Sequence, residues 1–194
     1  MRAVVQRVAS ASVTVDGDVI SSIGRGLMVL VGIGTDDTPS DITIIANKIL
    51  SLKVFSDDDG AMWKRSVKDI EGDVLCVSQF TLFANTSKGN KPDFHRAMST
   101  EASKQMYSAF LDRIRSSYKP DKIQDGRFGA MMNVSLTNEG PVTFTLDSRK
   151  FEYIDQPRNV VGERSQTSKT GATASGSKKG AAQSDEPAAP PRQN

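Results

Sequence analysis

The chain has 194 residues and a formal net charge of +2, which leaves room for one domain of ordinary size, a sizeable core and an appendage. That charge is unevenly spread: residues 158 to 194 hold Arg158, Arg164, Lys169, Lys178, Lys179 and Arg192 against Glu163, Asp185 and Glu186, leaving 19 basic and 20 acidic residues, a net of −1, in residues 1 to 157. The expected domain is therefore no general polyanion binder, and would meet a nucleic acid only through a local patch or pocket.

The opening Met1-Arg2-Ala3-Val4-Val5-Gln6-Arg7-Val8 alternates loosely and reads as a strand. It lacks the continuous apolar core of a signal peptide, and no later run approaches membrane-spanning length, so a soluble, cytoplasmic protein is expected. Ala11 to Val15 reads as a second short strand, and Asp16-Gly17-Asp18 as a tight hairpin, because Asp-Gly tolerates the positive φ of a two-residue loop. Val19 to Ile23 is the return strand. Gly24-Arg25-Gly26 then turns the chain into Leu27 to Val31, a continuous apolar run expected of a central strand. Gly32-Ile33-Gly34 invites a dinucleotide-binding reading, but a third glycine is missing at Asp37 and the preceding strands form hairpins, so turn glycines are the better account.

Thr38-Pro39-Ser40-Asp41 has the chemistry of a helix start, and Ile42, Ile45, Ala46, Ile49 and Leu50 recur at helical spacing. Lys53-Val54-Phe55 is expected as a strand, and Asp57-Asp58-Asp59-Gly60 as a solvated acidic turn. An EF-hand loop would alternate its ligands and end in glutamate where Lys68 stands. Trp63 is expected over the sheet edge.

Val74 to Val77 is apolar throughout, as in a strand buried on both faces, and contains Cys76. Because Cys76 is the single cysteine, no intramolecular disulfide or cysteine cluster for zinc can form. The pattern breaks at Ser78-Gln79-Phe80-Thr81-Leu82. At period two, Gln79 and Thr81 share one face and Ser78 and Phe80 the other, so these polar groups need partners from backbone or ligand. Phe83 to His95 is a long polar loop in which Lys88 and Lys91 are candidate phosphate contacts, and His95 is the sole histidine. Ser99 to Tyr118 reads as a second amphipathic helix, with Ala102, Met106, Phe110 and Ile114 inward and Lys119-Pro120 as its stop. Phe128 to Leu136 is a strand candidate carrying Met131-Met132, side chains that line adaptable pockets or fill cores. Asn138 to Thr143 is read as an interruption before a last strand, Val142 to Leu146. Residues 158 to 194 have no Phe, Tyr or Trp, and read as a disordered, weakly basic tail after a domain of residues 1 to 157. The fold class expected from the elements themselves is an α+β domain.

The segments Ser78-Gln79-Phe80-Thr81-Leu82 and Asn138-Glu139-Gly140-Pro141-Val142-Thr143, together with the opening eight residues, closely resemble the D-aminoacyl-tRNA deacylase family. Gly89-Asn90-Lys91-Pro92-Asp93-Phe94 and Asp125-Gly126-Arg127-Phe128-Gly129-Ala130 belong to the same resemblance, which runs from Met1 to about Leu146 and leaves out the tail. It implies a mostly antiparallel, barrel-like β core covered by two main helices. It also implies a homodimer with active sites at the subunit interface, where the 3′ end of aminoacyl-tRNA is bound and the ester of D-aminoacyl-tRNA, or of glycine mischarged on alanine tRNA, is hydrolysed. The Gly140-Pro141 bond is cis in the family, and this pair excludes L-amino acids by collision. Ser78, Gln79, Phe80 and Thr81 are the implied catalytic stretch, with backbone around Phe80 and Thr81 stabilising the oxyanion and the substrate 2′-OH assisting. Arg7 would brace Gly140 and Pro141, while Met131, Met132 and Lys88 would bind substrate. Neither metal nor cofactor is implied. A covalent Thr81 nucleophile is the alternative mechanism, and a noncatalytic nucleic-acid-binding protein the alternative function.

Overall fold

A computed structural model describes residues 1–87 and 89–149. The expectations for Lys88 and for the tail from residue 158 fall outside the described residues. Among the described residues there are six strands and two α-helices: β1 (Arg2–Val15), β2 (Asp18–Ile23), β3 (Gly26–Gly32), α1 (Pro39–Ser51), β4 (Asp73–Ser78), α2 (Thr100–Ser117), β5 (Ile123–Asp125) and β6 (Asn133–Asp147). The strands form one mixed sheet in the order β2-β1-β3-β4-β5, with β6 on the other side of β1. Pairing is antiparallel around β1 and parallel for β3 with β4 and β4 with β5.

The reason for this shape lies in β1. Its first half, Arg2 to Val8, pairs with β3, while its second half, Ala11 to Val15, pairs with β2, so one long strand serves two neighbours along the same side. Alternation along β3 and β4 then serves two cores. Leu27, Val29, Val31, Val74 and Cys76 pack with Ile45, Ile49, Phe110 and Ile114 of the two helices. Met28, Leu75 and Val77 instead meet Val8, Val13, Val15 and Ile23, with Met132 and Val134 alongside. The sheet thus curls until β2 and the far half of β1 cover its second face, giving the nearly closed barrel. Asp16 at φ 53° and Gly17 at φ 92° make the hairpin that allows the return.

The helix α1 starts as its sequence requires. Thr38 donates from N and Oγ1 to Asp41 Oδ2, each at 2.8 Å, with Pro39 at the first helical position. In α2 the buried stripe is Tyr107, Phe110, Leu111 and Ile114; Met106 is half-buried and Ala102 exposed, so the inward face is rotated from the expected one.

Four strand expectations are corrected. Residues 2 to 15 form one strand, because β6 pairs along nearly its whole length. Lys53 to Phe55 forms none: Phe55 exchanges backbone hydrogen bonds with Arg65, and the acidic turn begins before a ladder can grow. Residues 128 to 132 precede rather than begin β6, since Arg127 to Ala130 makes a turn around Gly129 at φ 75°. The expected break at Asn138 to Thr143 is absorbed into β6 as register shifts opposite Gln6, Val8 and Ser10. Trp63, as expected, lies edge-on to Phe144 of β6 with ring centroids 6.3 Å apart.

Candidate active site

The ladder of β4 ends at a defined bond. Gln79 N donates to Val31 O at 2.7 Å, after which Phe80–Phe83 winds into a 3₁₀ turn. The period-two arrangement expected for Ser78 to Leu82 therefore does not form. The turn brings Gln79 and Thr81 together differently, with Gln79 Nε2 donating to Thr81 Oγ1 at 2.5 Å. The turn is closely packed: a Cβ on Gly32 would stand 3.0 Å from both Gln79 O and Leu82 Cβ, so glycine there lets β3 lie close beneath it. Arg2 anchors the far side by donating from Nη1 to Leu82 O at 2.9 Å.

This geometry leaves the first amides of the turn, those of Phe80 and Thr81, without a preceding intrahelical acceptor. Ser78 and Gln79 are half-buried, whereas Phe80 is 57% exposed and Thr81 is exposed. Phe80 meets Phe94 edge-on, with centroids 5.0 Å apart. His95 is bound locally to Asp93, through its backbone N at 3.0 Å and its ring Nδ1. No histidine contact to Thr81 occurs among the described residues.

Gly140 and Pro141 sit inside β6. Arg7, 8% exposed, donates from Nη1 to Val54 O at 2.5 Å and from Nε to Glu139 O at 3.2 Å. A Cβ on Gly140, whose φ is 110°, would stand 2.7 Å from Arg7 Nη2. The cis bond implied by the resemblance is absent: no cis peptide bond occurs among the described residues, and Gly140-Pro141 is trans within β6.

Two residues given no role from the sequence, Asn138 and Arg25, also hold this element. Asn138 spans it, accepting from Val142 N at Oδ1 and donating from Nδ2 to Thr143 Oγ1, each at 3.0 Å. An asparagine just before Gly-Pro was the available signal. Arg25 forks onto both carboxylate oxygens of Glu139 at 3.1 Å, and this hydrogen-bonded pair holds the Glu139 carboxyl below its usual range. No local pattern links positions 25 and 139.

The two motifs lie at opposite ends of the sheet. Val31 pairs with Ser78 and Gly32 with Arg2, so the strand end sits by Arg2. Leu27 pairs with Arg7, so Gly140 sits five residues away along β3, roughly 17 Å at 3.3 Å per residue. Met132 belongs with the strand end, its Sδ only 2.7 Å from where a Cβ on Gly126 would be, and Met131 beside it is 91% exposed. Cys76 lies beneath, wholly buried, and burial pushes its thiol up to about 12, so it offers no thiolate.

The family model described as D-Tyr-tRNA(Tyr) deacylase matches residues 4–147. The chain belongs to this deacylase family. A D-aminoacyl-tRNA deacylase of Dictyostelium discoideum is 56% identical over 151 residues, spanning 77% of this chain and 99% of that one. The human D-aminoacyl-tRNA deacylase 1 is 53% identical over 148 residues, 76% of this chain and 70% of its own length. A solved structure titled c-Myc DNA Unwinding Element Binding Protein superposes with TM-score 0.74 at 52% identity, covering 76% of this chain and 98% of that one. A second, titled as a structural analysis of a probable eukaryotic D-amino acid tRNA deacylase, has TM-score 0.65 at 19% identity and shows the shared fold. Within this deacylase framework the strand end supplies backbone donors, an amide–hydroxyl pair and an exposed aromatic. The Gly140-Pro141 element supplies rigid backbone close to an arginine.

Proposed function

We propose that the chain is a homodimeric hydrolase that cleaves the ester of D-aminoacyl-tRNA, with each site built from the Ser78 to Phe83 end of one protomer and the Gly140-Pro141 element of its partner. The observation that carries this reading is the roughly 17 Å separation of the two motifs within one chain, estimated from strand rise, which a second copy can close. The exposed Phe80 and Met131, and a β6 with no strand on its outer edge among the described residues, support a second copy at this surface.

Membership in the family makes the reaction ester hydrolysis on aminoacyl-tRNA. With Gly140-Pro141 trans, selectivity rests on collision alone: the backbone of this element, held by Arg7 and Asn138, blocks an L side chain and leaves a D side chain free. Glycine has nothing to collide, so glycyl-tRNA is also cleaved. The Phe80 and Thr81 amides polarise the ester carbonyl, and the ribose 2′-OH assists the attacking water. Thr81 is a positioning group in this scheme. Its Oγ1 is engaged by Gln79 Nε2, and no base contacts it among the described residues.

Purified protein is tested on matched D- and L-aminoacyl-tRNA. Rapid loss of the D-ester alone is expected; equal rates for both esters would remove the selectivity reading. If neither ester decays faster than in buffer, a noncatalytic nucleic-acid-binding role replaces it.

A further inference from the structure

Arg127 lies two residues beyond β5, and the register of the sheet fixes its place. Cys76 pairs with Asp125, and Gly126 N donates to Cys76 O at 3.0 Å, which carries the parallel ladder one residue further. Continued, that register sets Gly126 beside Val77 and Arg127 beside Ser78. The packing agrees, since a Cβ on Gly126 would stand 2.7 Å from Met132 Sδ and 3.7 Å from Val77 Cγ2. Gly126 is thus seated on the end of β4, and the turn that holds Arg127 emerges beside the candidate catalytic stretch.

Two other arginines near this strand end are committed. Arg2 donates to Asp147 Oδ2 at 3.1 Å and to Leu82 O at 2.9 Å, and its guanidinium covers the Phe83 ring. Arg115 is paired with Asp125 at 2.8 Å, which also occupies the acidic side chain nearest Arg127 in sequence. Arg127 itself is exposed, and among the described residues its side chain has neither an ion pair nor a hydrogen bond. A guanidinium is a fork of donors suited to a phosphate, and an RNA 3′ end places a phosphate one ribose away from its terminal ester.

On the deacylase reading above, the geometry points to Arg127 as a positioning residue that binds a backbone phosphate of the tRNA 3′ end and so sets the ester against the Phe80 turn. It recognises nucleic acid without sequence preference, because phosphate contacts carry none. It takes no part in the chemistry at the carbonyl.

The test uses two substrates of the same D-amino acid: aminoacyl-tRNA, and 2′(3′)-O-aminoacyladenosine without any phosphate. Arg127→Ala is expected to raise KM for the tRNA about tenfold with kcat nearly unchanged, and to make the log–log salt dependence of binding shallower by about 0.7, the increment for one phosphate on a single strand. Cleavage of the adenosine ester should be unaltered. Arg127→Lys should recover most of the tRNA affinity, and Lys48→Ala on α1 should leave both substrates unchanged. Equal loss on both esters would make Arg127 a structural or catalytic residue, and no loss on tRNA would remove it from binding; either overturns the assignment. A wild-type chain inactive on both esters would instead defeat the deacylase reading on which the assignment rests.

Discussion

Gly140 is constrained twice, by a φ of 110° that side chains rarely adopt and by Arg7 Nη2 at 2.7 Å from any added Cβ. Gly140→Val should therefore lower kcat/KM on D-aminoacyl-tRNA by at least about tenfold, equivalent to about 1.4 kcal/mol of lost transition-state binding, or erode discrimination against the L-ester. Single-turnover deacylation of both esters measures this. Thr81→Ala separates two mechanisms: a positioning hydroxyl costs about threefold to tenfold, whereas a covalent nucleophile costs several orders of magnitude. At this scale the sequence was informative about short contiguous groups. Ser78 to Leu82 and Gly140-Pro141 stand out because neighbouring residues announce one another. Arg25 did not, because its partner Glu139 is brought to it by β6 pairing across β1.

The elements show where pattern reading works and where pairing overrides it. Helix α1 was legible from its cap and stripe, since both are local. The break foreseen in β6 interrupts its pairing but not the strand: the ladder steps from Gln6–Thr143 to Val8–Asn138, and residues 139 to 142, with the Gly-Pro pair, bulge out between them. Two predictions belong here. A Cβ on Gly26 would overlap Asp73 O at 1.9 Å across the β3–β4 ladder, so Gly26→Ala should destabilise the fold by about 1–3 kcal/mol, read from urea midpoints. For Asp41, burial alone would raise the carboxyl, but hydrogen bonds from Ser148 and Thr38 prevail and hold it well below the ordinary range. A depressed folded-state value stabilises above the unfolded value, and the benefit is lost as pH falls through the folded one. Stability should hold above about pH 4 and fall below it, as the ordinary aspartate value dictates. Asp41→Asn should flatten that decline in denaturation curves taken across pH.

At the scale of the molecule, a site shared between protomers predicts complementation. Gly140→Val and Gln79→Ala chains, each impaired alone, should regain activity when mixed and allowed to exchange, because a mixed dimer contains one site with both halves intact. Activity approaching about a quarter of wild type fits random pairing, and simple additivity of the two residual rates would place both motifs in one chain's site. A barrel-like core was foreseen through the family resemblance; that β2 is the strand curling over the second face of its own sheet was not legible, since strand patterns give faces but not curvature. The same connectivity sets a schedule for synthesis. Val13 pairs with Val134 and Arg2 with Asp147, so the first strand made must await the last. At about 5–20 residues per second, the ribosome leaves that strand half-paired on the order of ten seconds, and contacts so distant in sequence close slowly. Until β6 emerges, the edge of β1 that it will cover stays open.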